Sequence, residues 1–305
     1  MSLNNPLITP VHVLPEISGR KGQGGRRVRR QKNGNDKKKP LLSIVTITLD
    51  NGIQLEKTMQ SVLQWPTEQV EYIIIDGGSK DSTIDLLREV DSRVEYWVSE
   101  PDAGISDAFN KGISLCRGTV VGLLNAGDWY EQTALASVEA AFLDNPDAEV
   151  VCGRLQFRKG NKKAYCTDSI PEFLPRDMTV AHPSCFVKRN VYLRLGGFNP
   201  EYRLAMDYEL LLRFFLGGVV FARTPAVLAN MQHDGVSEAN WQQALAETHR
   251  ARQLYMSRRS FYTGRIYLNY LIGRRYVRLL LQSLGLNGLV AFYRKHLAAV
   301  QKVKM

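Results

Sequence analysis

The chain has 305 residues, enough to bury the core of one large α/β domain with extensions or of two smaller domains. Its hydrophobic fraction of 44% and charged fraction of 23% are typical of a soluble protein and exclude a fibre or a wholly disordered chain. The four cysteines are widely spaced and form no Cys-x-x-Cys pair, which indicates reduced thiols. Because no apolar stretch suits a signal peptide or a spanning helix, we expect a cytoplasmic protein.

The net charge of +10 is distributed unevenly. Residues 20–39 contain ten Lys or Arg and one Asp, and residues 236–305 contain twelve basic residues and two Glu. Residues 41–235 contain 18 basic and 26 acidic residues, so the centre of the chain is acidic. The basic flanks favour a nucleic-acid-binding protein, but the acidic centre and the lack of a binding motif oppose it, and we expect no nucleic-acid partner.

Residues 1–40 are predicted to be a disordered basic arm. From about Ser18 to Lys39 the sequence combines Gly, Arg and Lys with almost no bulky apolar side chains, which cannot offset the entropy of ordering. Such an arm either attracts anionic lipid or nucleic acid or is a passive solvated tail.

From Leu41 onward, short β-branched runs alternate with helical patterns. Strands are predicted at 41–49, 70–75, 94–99, 119–124, 148–157 and 184–188, and helices at about 51–65, 82–90, 105–116, 131–143 and 207–216. Residues 241–305 are predicted to be helical, without strand patterning. The alternation predicts an α/β fold with a mostly parallel sheet and helices on both faces.

Four aspartates, Asp50, Asp76, Asp102 and Asp128, fall at or just after predicted strand ends, where such sheets bind ligands. Clustered carboxylates need compensation by a cation or by hydrogen-bond donors. Mg²⁺ or Mn²⁺ holding a diphosphate would supply it, with Asp128 as the best ligand, although Asp128 could also be a helix N-cap. Asp76 precedes two glycines, and a carboxylate there could accept the N–H of a pyrimidine ring.

Four ordered motifs resemble family-2 glycosyltransferases of the GT-A fold. The similarity covers about Leu41 to Ser237 and is closest to the bacterial branch that builds colanic acid and O-antigen. The motifs are Ser43-Ile44-Val45-Thr46-Ile47-Thr48, Asp76-Gly77-Gly78-Ser79-Lys80-Asp81-Ser82-Thr83, Ser99 to Gly112, and Leu124-Asn125-Ala126-Gly127-Asp128. The resemblance implies a Rossmann-like catalytic domain at 41–237, followed by a basic helical extension at 238–305.

By position, the resemblance assigns donor-side roles to seven residues. Thr46, Thr48 and Asp76 would line the nucleoside pocket, and Asp102 and the turn from Gly104 to Asn110 would lie near the base, ribose or sugar. Asp128 matches the metal-binding carboxylate of the family's Asp-x-Asp element. Asn125 stands where that element begins, and Gly127 stands at its other acidic position, so a further group could complete the metal shell.

His233 is the candidate for that further group, because its segment resembles a loop that closes over the donor; a surface histidine is the alternative. The family's catalytic base is matched by Asp207, which could otherwise be a helix cap. Glu209 is the reserve base, on a helix face expected to be exposed. His182 would contact the acceptor or be structural. Trp129 would stack on a sugar or pack in the core.

The resemblance also implies inversion by a single displacement, in which Asp207 removes the acceptor proton and a divalent metal at Asp128 stabilises the departing diphosphate. A nucleotidyltransferase is the rival enzyme class, but no Lys follows the first strand before Lys57. The C-terminal extension interleaves aromatic residues with arginines, which suits a helix on an anionic membrane; packing on the catalytic domain is the alternative. We therefore expect a nucleotide-sugar donor, a lipid-linked or saccharide acceptor, and a peripheral position on the inner face of the plasma membrane.

Overall fold

A computed structural model describes residues 6–31, 40–232 and 240–257, single positions between 265 and 286, and residues 302–303. The strands are β1 (Gly22–Gly24), β2 (Leu42–Thr48), β3 (Val70–Asp76), β4 (Tyr96–Ser99), β5 (Val120–Asn125), β6 (Trp129–Tyr130), β7 (Val150–Lys159), β8 (Lys162–Thr167), β9 (Cys185–Lys188), β10 (Phe221–Gln232) and β11 (Lys302–Val303). The helices are α1 (Arg26–Gln31), α2 (Gly52–Leu63), α3 (Thr83–Glu89), α4 (Ile105–Leu115), α5 (Ala134–Asp144), α6 (Arg189–Leu195), α7 (Met206–Leu216) and α8 (Trp241–Tyr255).

The described strands form one mixed sheet in the order β1-β4-β3-β2-β5-β9-β7-β10-β6, with β8 paired to β7. Strands β4, β3, β2 and β5 run parallel, as do β7 and β10, whereas β9 runs antiparallel between β5 and β7. Every residue of β2 and β3 is buried because helices cover both faces of this part of the sheet. The mixed α/β sheet with flanking helices confirms the predicted fold class.

Two hydrophobic cores lie on opposite faces of the sheet. One joins Val45 and Ile47 of β2 to residues of α4 and α7, and the other joins Ile44 to residues of α2. Alternate side chains of one strand therefore enter different cores, as the two-residue period of a strand requires. The predicted helices and strands between Leu41 and Leu216 are present within a few residues, but β6, β8, β10 and α6 were not predicted.

The N-terminal segment is ordered, so the prediction of a disordered arm is wrong for residues 6–31. Strand β1 pairs antiparallel with β4, and α1 follows it. Arg27 is 1% exposed and its guanidinium lies 2.6 Å from the Glu71 carboxylate, while Arg117 lies 2.8 Å from the same carboxylate. These buried ion pairs hold the segment to the domain, together with Ile8 and Leu14, which lie in the hydrophobic core. Residues 32–39 lie outside the described residues.

The C-terminal extension begins with α8, which packs on α7 and buries Ala251 and Arg252. Packing on the catalytic domain, the alternative to a membrane face, therefore holds for α8. Helical positions follow between 265 and 283, and β11 pairs with β8, which the helical prediction for 241–305 did not include. In the described part of the chain, no helix has both the length and the apolarity to cross a bilayer. The predicted domain boundary at Ser237 lies outside the described residues.

Candidate active site

The carboxyl ends of four parallel strands are level with one another. Thr48 at the end of β2 pairs with Asp76 at the end of β3, and Asp76 pairs with Ser99 at the end of β4. On the other side, Ile47 pairs with Asn125 at the end of β5. The strand-end residues selected from the sequence therefore share one edge of the sheet.

Asp76 is fully buried and its carboxylate accepts several hydrogen bonds from the protein. The backbone N–H of Ser79 lies 3.0 Å from it, the Ser79 hydroxyl also donates to it, and the Ser99 hydroxyl lies at 2.6 Å. Asp50 accepts from the Lys80 N–H at 2.6 Å. Of the two kinds of compensation expected from the sequence, hydrogen-bond donors serve Asp50 and Asp76; they come from the Gly77–Lys80 loop and from Ser99.

Asp102 lies directly over Gly77. A Cβ atom at Gly77 would be 2.6 Å from Oδ2 of Asp102, so only glycine allows this approach. The other oxygen of Asp102 accepts the N–H of Gly104 at 2.8 Å, and burial raises the pKa of Asp102. Gly104 precedes α4 with φ of +112°, a conformation that favours glycine, and its exposed backbone has open space beside it.

The two threonines of β2 have different surroundings. The Thr46 hydroxyl is buried and lies 3.0 Å from the Tyr72 hydroxyl, so the prediction that it lines a nucleoside pocket is wrong. Thr48, two residues closer to the strand end, has a buried hydroxyl without a hydrogen-bond partner in the described structure. A buried polar group without a partner is costly, and Thr48 is therefore the better candidate for a ligand contact.

Asn110 joins α4 to the loop after α6. Its amide nitrogen donates to the carbonyl of Phe198, and its amide oxygen accepts the N–H of Phe198, both at 2.8 Å. Both ends of the side chain thus make a structural contact, and the donor-side role expected of Asn110 stays a prediction.

Asp128 ends a tight turn between β5 and β6. The Gly127 N–H donates to the Thr58 hydroxyl at 2.9 Å, and Gly127 has φ of +104°. Asp128 is 6% exposed, and burial raises the pKa of its carboxyl to about 7; a hydrogen bond from the Asn125 side chain lowers it, and the charge of Asp207 raises it further. The protein alone therefore leaves the negative charge of Asp128 poorly compensated.

Asp207 lies in the first turn of α7, and its charge contributes to the raised pKa of Asp128. Its Oδ1 atom is buried without a hydrogen-bond partner in the described structure, and Nδ1 of His182 lies 3.8 Å away. The His182 ring is buried and packs edge-on against Phe109 and Phe198. Two carboxylates and an imidazole, predicted separately from the sequence, thus come together.

Glu209, the reserve base, is fully buried rather than exposed. Both its oxygens bind the guanidinium of Arg213, at 2.8 and 3.1 Å, and the Tyr255 hydroxyl donates to it at 2.5 Å. These contacts give Glu209 a structural role, so Asp207 is the better candidate base.

Trp129 follows Asp128 in β6 and pairs with Asn230 of β10. The Lys57 ammonium lies 3.1 Å from the centre of its ring, and the Arg158 guanidinium lies 5.7 Å away. Lys57 therefore covers part of the ring on which a sugar was expected to stack. Cation–π pairing was not predicted, because Lys57 and Arg158 are distant from Trp129 in sequence.

His233, the candidate for a further metal ligand, lies outside the described residues.

Among the described residues, no group of three or more His, Cys, Asp or Glu could hold a metal ion by itself. The poorly compensated charge of the buried Asp128 nevertheless fits a cation that takes its remaining ligands from a bound diphosphate. Mg²⁺ is commonly held in this way, by one or two carboxylates together with substrate phosphates.

Residues 43–199, about half of the chain, match the family model "Glycosyl transferase family 2". The chain belongs to glycosyl transferase family 2. This glycosyltransferase is 29% identical over 179 residues to an uncharacterised glycosyltransferase of Mycobacterium tuberculosis, an alignment that covers 57% of this chain and 68% of the relative. It is 26% identical over 205 residues to a PGL/p-HBAD biosynthesis glycosyltransferase of Mycobacterium bovis, which covers 66% of this chain and 77% of the relative. Neither relative is named for colanic acid or O-antigen synthesis, so the branch expected from the motifs remains a prediction.

Solved structures with the same fold include the mannosyltransferase PcManGT of Pyrobaculum calidifontis in complex with GDP-Man and Mn²⁺. The TM-score is 0.58 at 15% identity, over 86% of this glycosyltransferase and 82% of that chain. TarS 1–349 of S. aureus in complex with UDP-GlcNAc has a TM-score of 0.54 at 13% identity, over 69% of this chain and 66% of that chain. The structural match with TarS thus covers just under two thirds of the length of the TarS chain.

Proposed function

We propose that this glycosyltransferase inverts the anomeric centre of a nucleoside-diphosphate sugar as it transfers the sugar to an acceptor hydroxyl. The observation that carries the proposal is that the charge of Asp207 acts on the carboxyl of Asp128. One carboxylate is buried with a pKa raised to about 7, and the other presents a buried oxygen without a hydrogen-bond partner in the described structure. An inverting transfer requires a general base for the acceptor hydroxyl, and a cation can stabilise the leaving diphosphate.

In this proposal Asp207 accepts the proton of the attacking acceptor hydroxyl. His182 lies 3.8 Å from Asp207, close enough to orient its carboxylate or to contact the acceptor. Asp128 would hold a divalent cation, Mn²⁺ or Mg²⁺, whose charge would stabilise the leaving diphosphate. Inversion requires the hydroxyl to attack from the face opposite the leaving group, so in this proposal the acceptor lies on the side of α7 and the diphosphate on the side of the β5–β6 turn.

The nucleoside would lie at the ends of β2 and β3. Thr48 offers a buried hydroxyl without a partner in the described structure, and Asp102 and the exposed Gly104 backbone lie beside the Gly77 turn. Asp76 would act indirectly, by holding that turn through Ser79 and Ser99. UDP-GlcNAc and GDP-Man, named in the structures of proteins with this fold, are the reference donors.

We further propose a lipid-linked or saccharide acceptor of bacterial polysaccharide synthesis, reached at the inner face of the plasma membrane. The support is a row of exposed apolar side chains at helical spacing after α8: Ile266, Tyr270, Val277, Leu280 and Leu284. The surrounding sequence is rich in arginine, which favours anionic lipid. Cosedimentation with phosphatidylglycerol vesicles should fall at least severalfold in Ile266→Asp/Leu280→Asp; unchanged binding contradicts the membrane face.

A thermal-shift screen of nucleoside diphosphates, each with and without Mn²⁺, tests the donor class. We expect the nucleoside diphosphate of one nucleobase to raise the Tm of the protein, and to do so only in the presence of Mn²⁺. The matching nucleotide sugars are then assayed for nucleotide release with octyl glycosides as probe acceptors, and NMR of the product gives the anomeric configuration. A product that retains the configuration of the donor would contradict inversion.

A further inference from the structure

The turn before α7 binds a carboxylate, and that carboxylate comes from α8, outside the part of the chain that the family model matches. Oε2 of Glu247, in α8, accepts the backbone N–H groups of three consecutive residues, Arg203, Leu204 and Ala205, at 3.0, 2.7 and 2.9 Å. Oε1 of Glu247 accepts the side-chain amide of Gln243 at 3.1 Å. Both oxygens are therefore fixed, and one of them gathers the last three N–H groups before the helix.

These contacts fix the backbone that leads into α7. Ala205 occupies the N-cap position and has no side chain that can accept a hydrogen bond, and the three N–H groups that Glu247 binds are those of Ala205 and of the two residues before it. A carboxylate at this end also interacts favourably with the helix dipole. Glu247 thus fixes the three residues from which the first turn of α7 continues.

The candidate base Asp207 lies in that first turn and is weakly held by its own contacts. Oδ1 of Asp207 has no hydrogen-bond partner in the described structure, and the distance of 3.8 Å to His182 is longer than a hydrogen bond. The position of the carboxylate consequently depends on the backbone of the turn, which Glu247 fixes two residues earlier.

We propose that Glu247 is a positioning residue for Asp207, so that α8 takes part in catalysis without touching the substrate. This inference rests on the proposed role of Asp207 as base. A second contact supports it, because the Tyr255 hydroxyl of α8 donates to Glu209 in the same helix at 2.5 Å. The family match ends at residue 199, and Glu247 lies well beyond it.

The test compares Glu247→Ala, Glu247→Gln and a matched control, Glu201→Ala. Glu201 pairs with Arg250 of α8 on the exposed surface, so its loss removes the same charge near the same helices without freeing the three N–H groups. With the donor and octyl glycoside selected above, we expect Glu247→Ala to lower kcat roughly 10- to 100-fold, as small displacements of catalytic groups do. We expect nucleotide affinity to change less than about twofold, because Asp207 is not part of the nucleotide site.

Glu247→Gln retains an oxygen that can accept the three N–H groups and should recover much of the rate, and Glu201→Ala should match the wild type. Hydrogen exchange of the amides at 203–205 should accelerate in Glu247→Ala only. Slow exchange in that variant, or a wild-type kcat, would overturn the proposal.

A double mutant separates positioning from general damage. If Glu247 acts through Asp207, Asp207→Asn/Glu247→Ala should be no slower than Asp207→Asn alone. If the fold-losses in kcat of the two single mutants multiply in the double mutant, Glu247 has a merely structural role. A parallel loss of nucleotide affinity in Glu247→Ala would show the same. If Asp207→Asn keeps the wild-type rate, the proposed base itself is wrong, whereas a slow Asp207→Asn with an unaffected Glu247→Ala refutes only the role of Glu247.

Discussion

Nδ1 of the buried His182 lies 3.8 Å from Oδ1 of Asp207, although 25 positions separate the two residues in the chain. The imidazole is fixed by the rings of Phe109 and Phe198, whereas the carboxylate is held only by the first turn of α7. A rigid partner beside a less constrained carboxylate suits a group that must accept a proton from a second molecule.

Asp207→Asn should reduce turnover by about 10²–10⁴-fold, because an amide cannot accept the proton of the acceptor hydroxyl. Nucleotide affinity should remain unchanged, since the nucleoside lies at the ends of β2 and β3 in the proposed complex. Nucleotide-release kinetics and calorimetry of nucleotide binding measure the two effects. Glu209→Gln is an informative comparison, because it should lower stability by weakening the bond to Arg213. Wild-type turnover in Asp207→Asn would require another base.

Binding of the divalent cation should strengthen as the pH rises through about 7, the pKa of the Asp128 carboxyl. This pKa is raised above that of an unfolded chain, so the ionised carboxylate destabilises the metal-free protein. The penalty is absent below the unfolded pKa of about 4 and complete above the folded one.

A cation relieves this penalty, so Mg²⁺ with nucleotide should raise Tm more at about pH 8 than at about pH 5.5. Asp128→Asn should lose both the metal effect and its pH dependence. A metal-induced Tm shift that is equal at both pH values would contradict the assignment of Asp128.

Arg27→Ala should destabilise the protein by about 3–5 kcal/mol, because it leaves the buried Glu71 carboxylate short of a partner. Urea unfolding measures the free energy. Arg88→Ala is the matched control, since Arg88 pairs with Asp85 at the surface and its removal should cost less than about 1 kcal/mol. Equal effects of the two substitutions would mean that the N-terminal segment contributes little to stability.

Thr46→Val and Thr48→Val should separate stability from binding. Thr46→Val leaves the buried Tyr72 hydroxyl without its partner and should cost about 1–3 kcal/mol, with nucleotide affinity unchanged. Thr48→Val removes a hydroxyl that has no partner in the described protein, so stability should hold while nucleotide affinity falls. A weaker nucleotide complex in Thr46→Val alone would reverse the two assignments.

The catalytic core was predictable because its signals are local. Strands β2 and β3 are uninterrupted β-branched runs, and Asp76 and Asp128 stand directly at strand ends, so their position on one sheet edge follows from the order of elements. Strand β10 was missed because Arg223, Thr224 and Pro225 interrupt its pattern and coincide with register shifts against β7.

The remaining errors concern partners that are distant in sequence. Arg27 pairs with Glu71 at a sequence separation of 44 residues, and Glu247 binds the N–H of Ala205 at a separation of 42. The hydrophobic periodicity of the sequence does not predict contacts between residues that are so far apart in the chain. Thr46 and Thr48 point to the same face of β2, and only the Tyr72 hydroxyl on β3 distinguishes the structural threonine from the other.

Strand β1 has a consequence for the state of the protein in solution. By pairing with β4, the N-terminal segment covers a sheet edge whose free N–H and C=O groups would otherwise be available to another chain. A fragment trimmed to the family domain would expose that edge, together with Trp97 and the acidic groups of Glu71 and Glu95. Strand β1 thus disfavours edge-to-edge association of the enzyme, a role separate from sugar transfer.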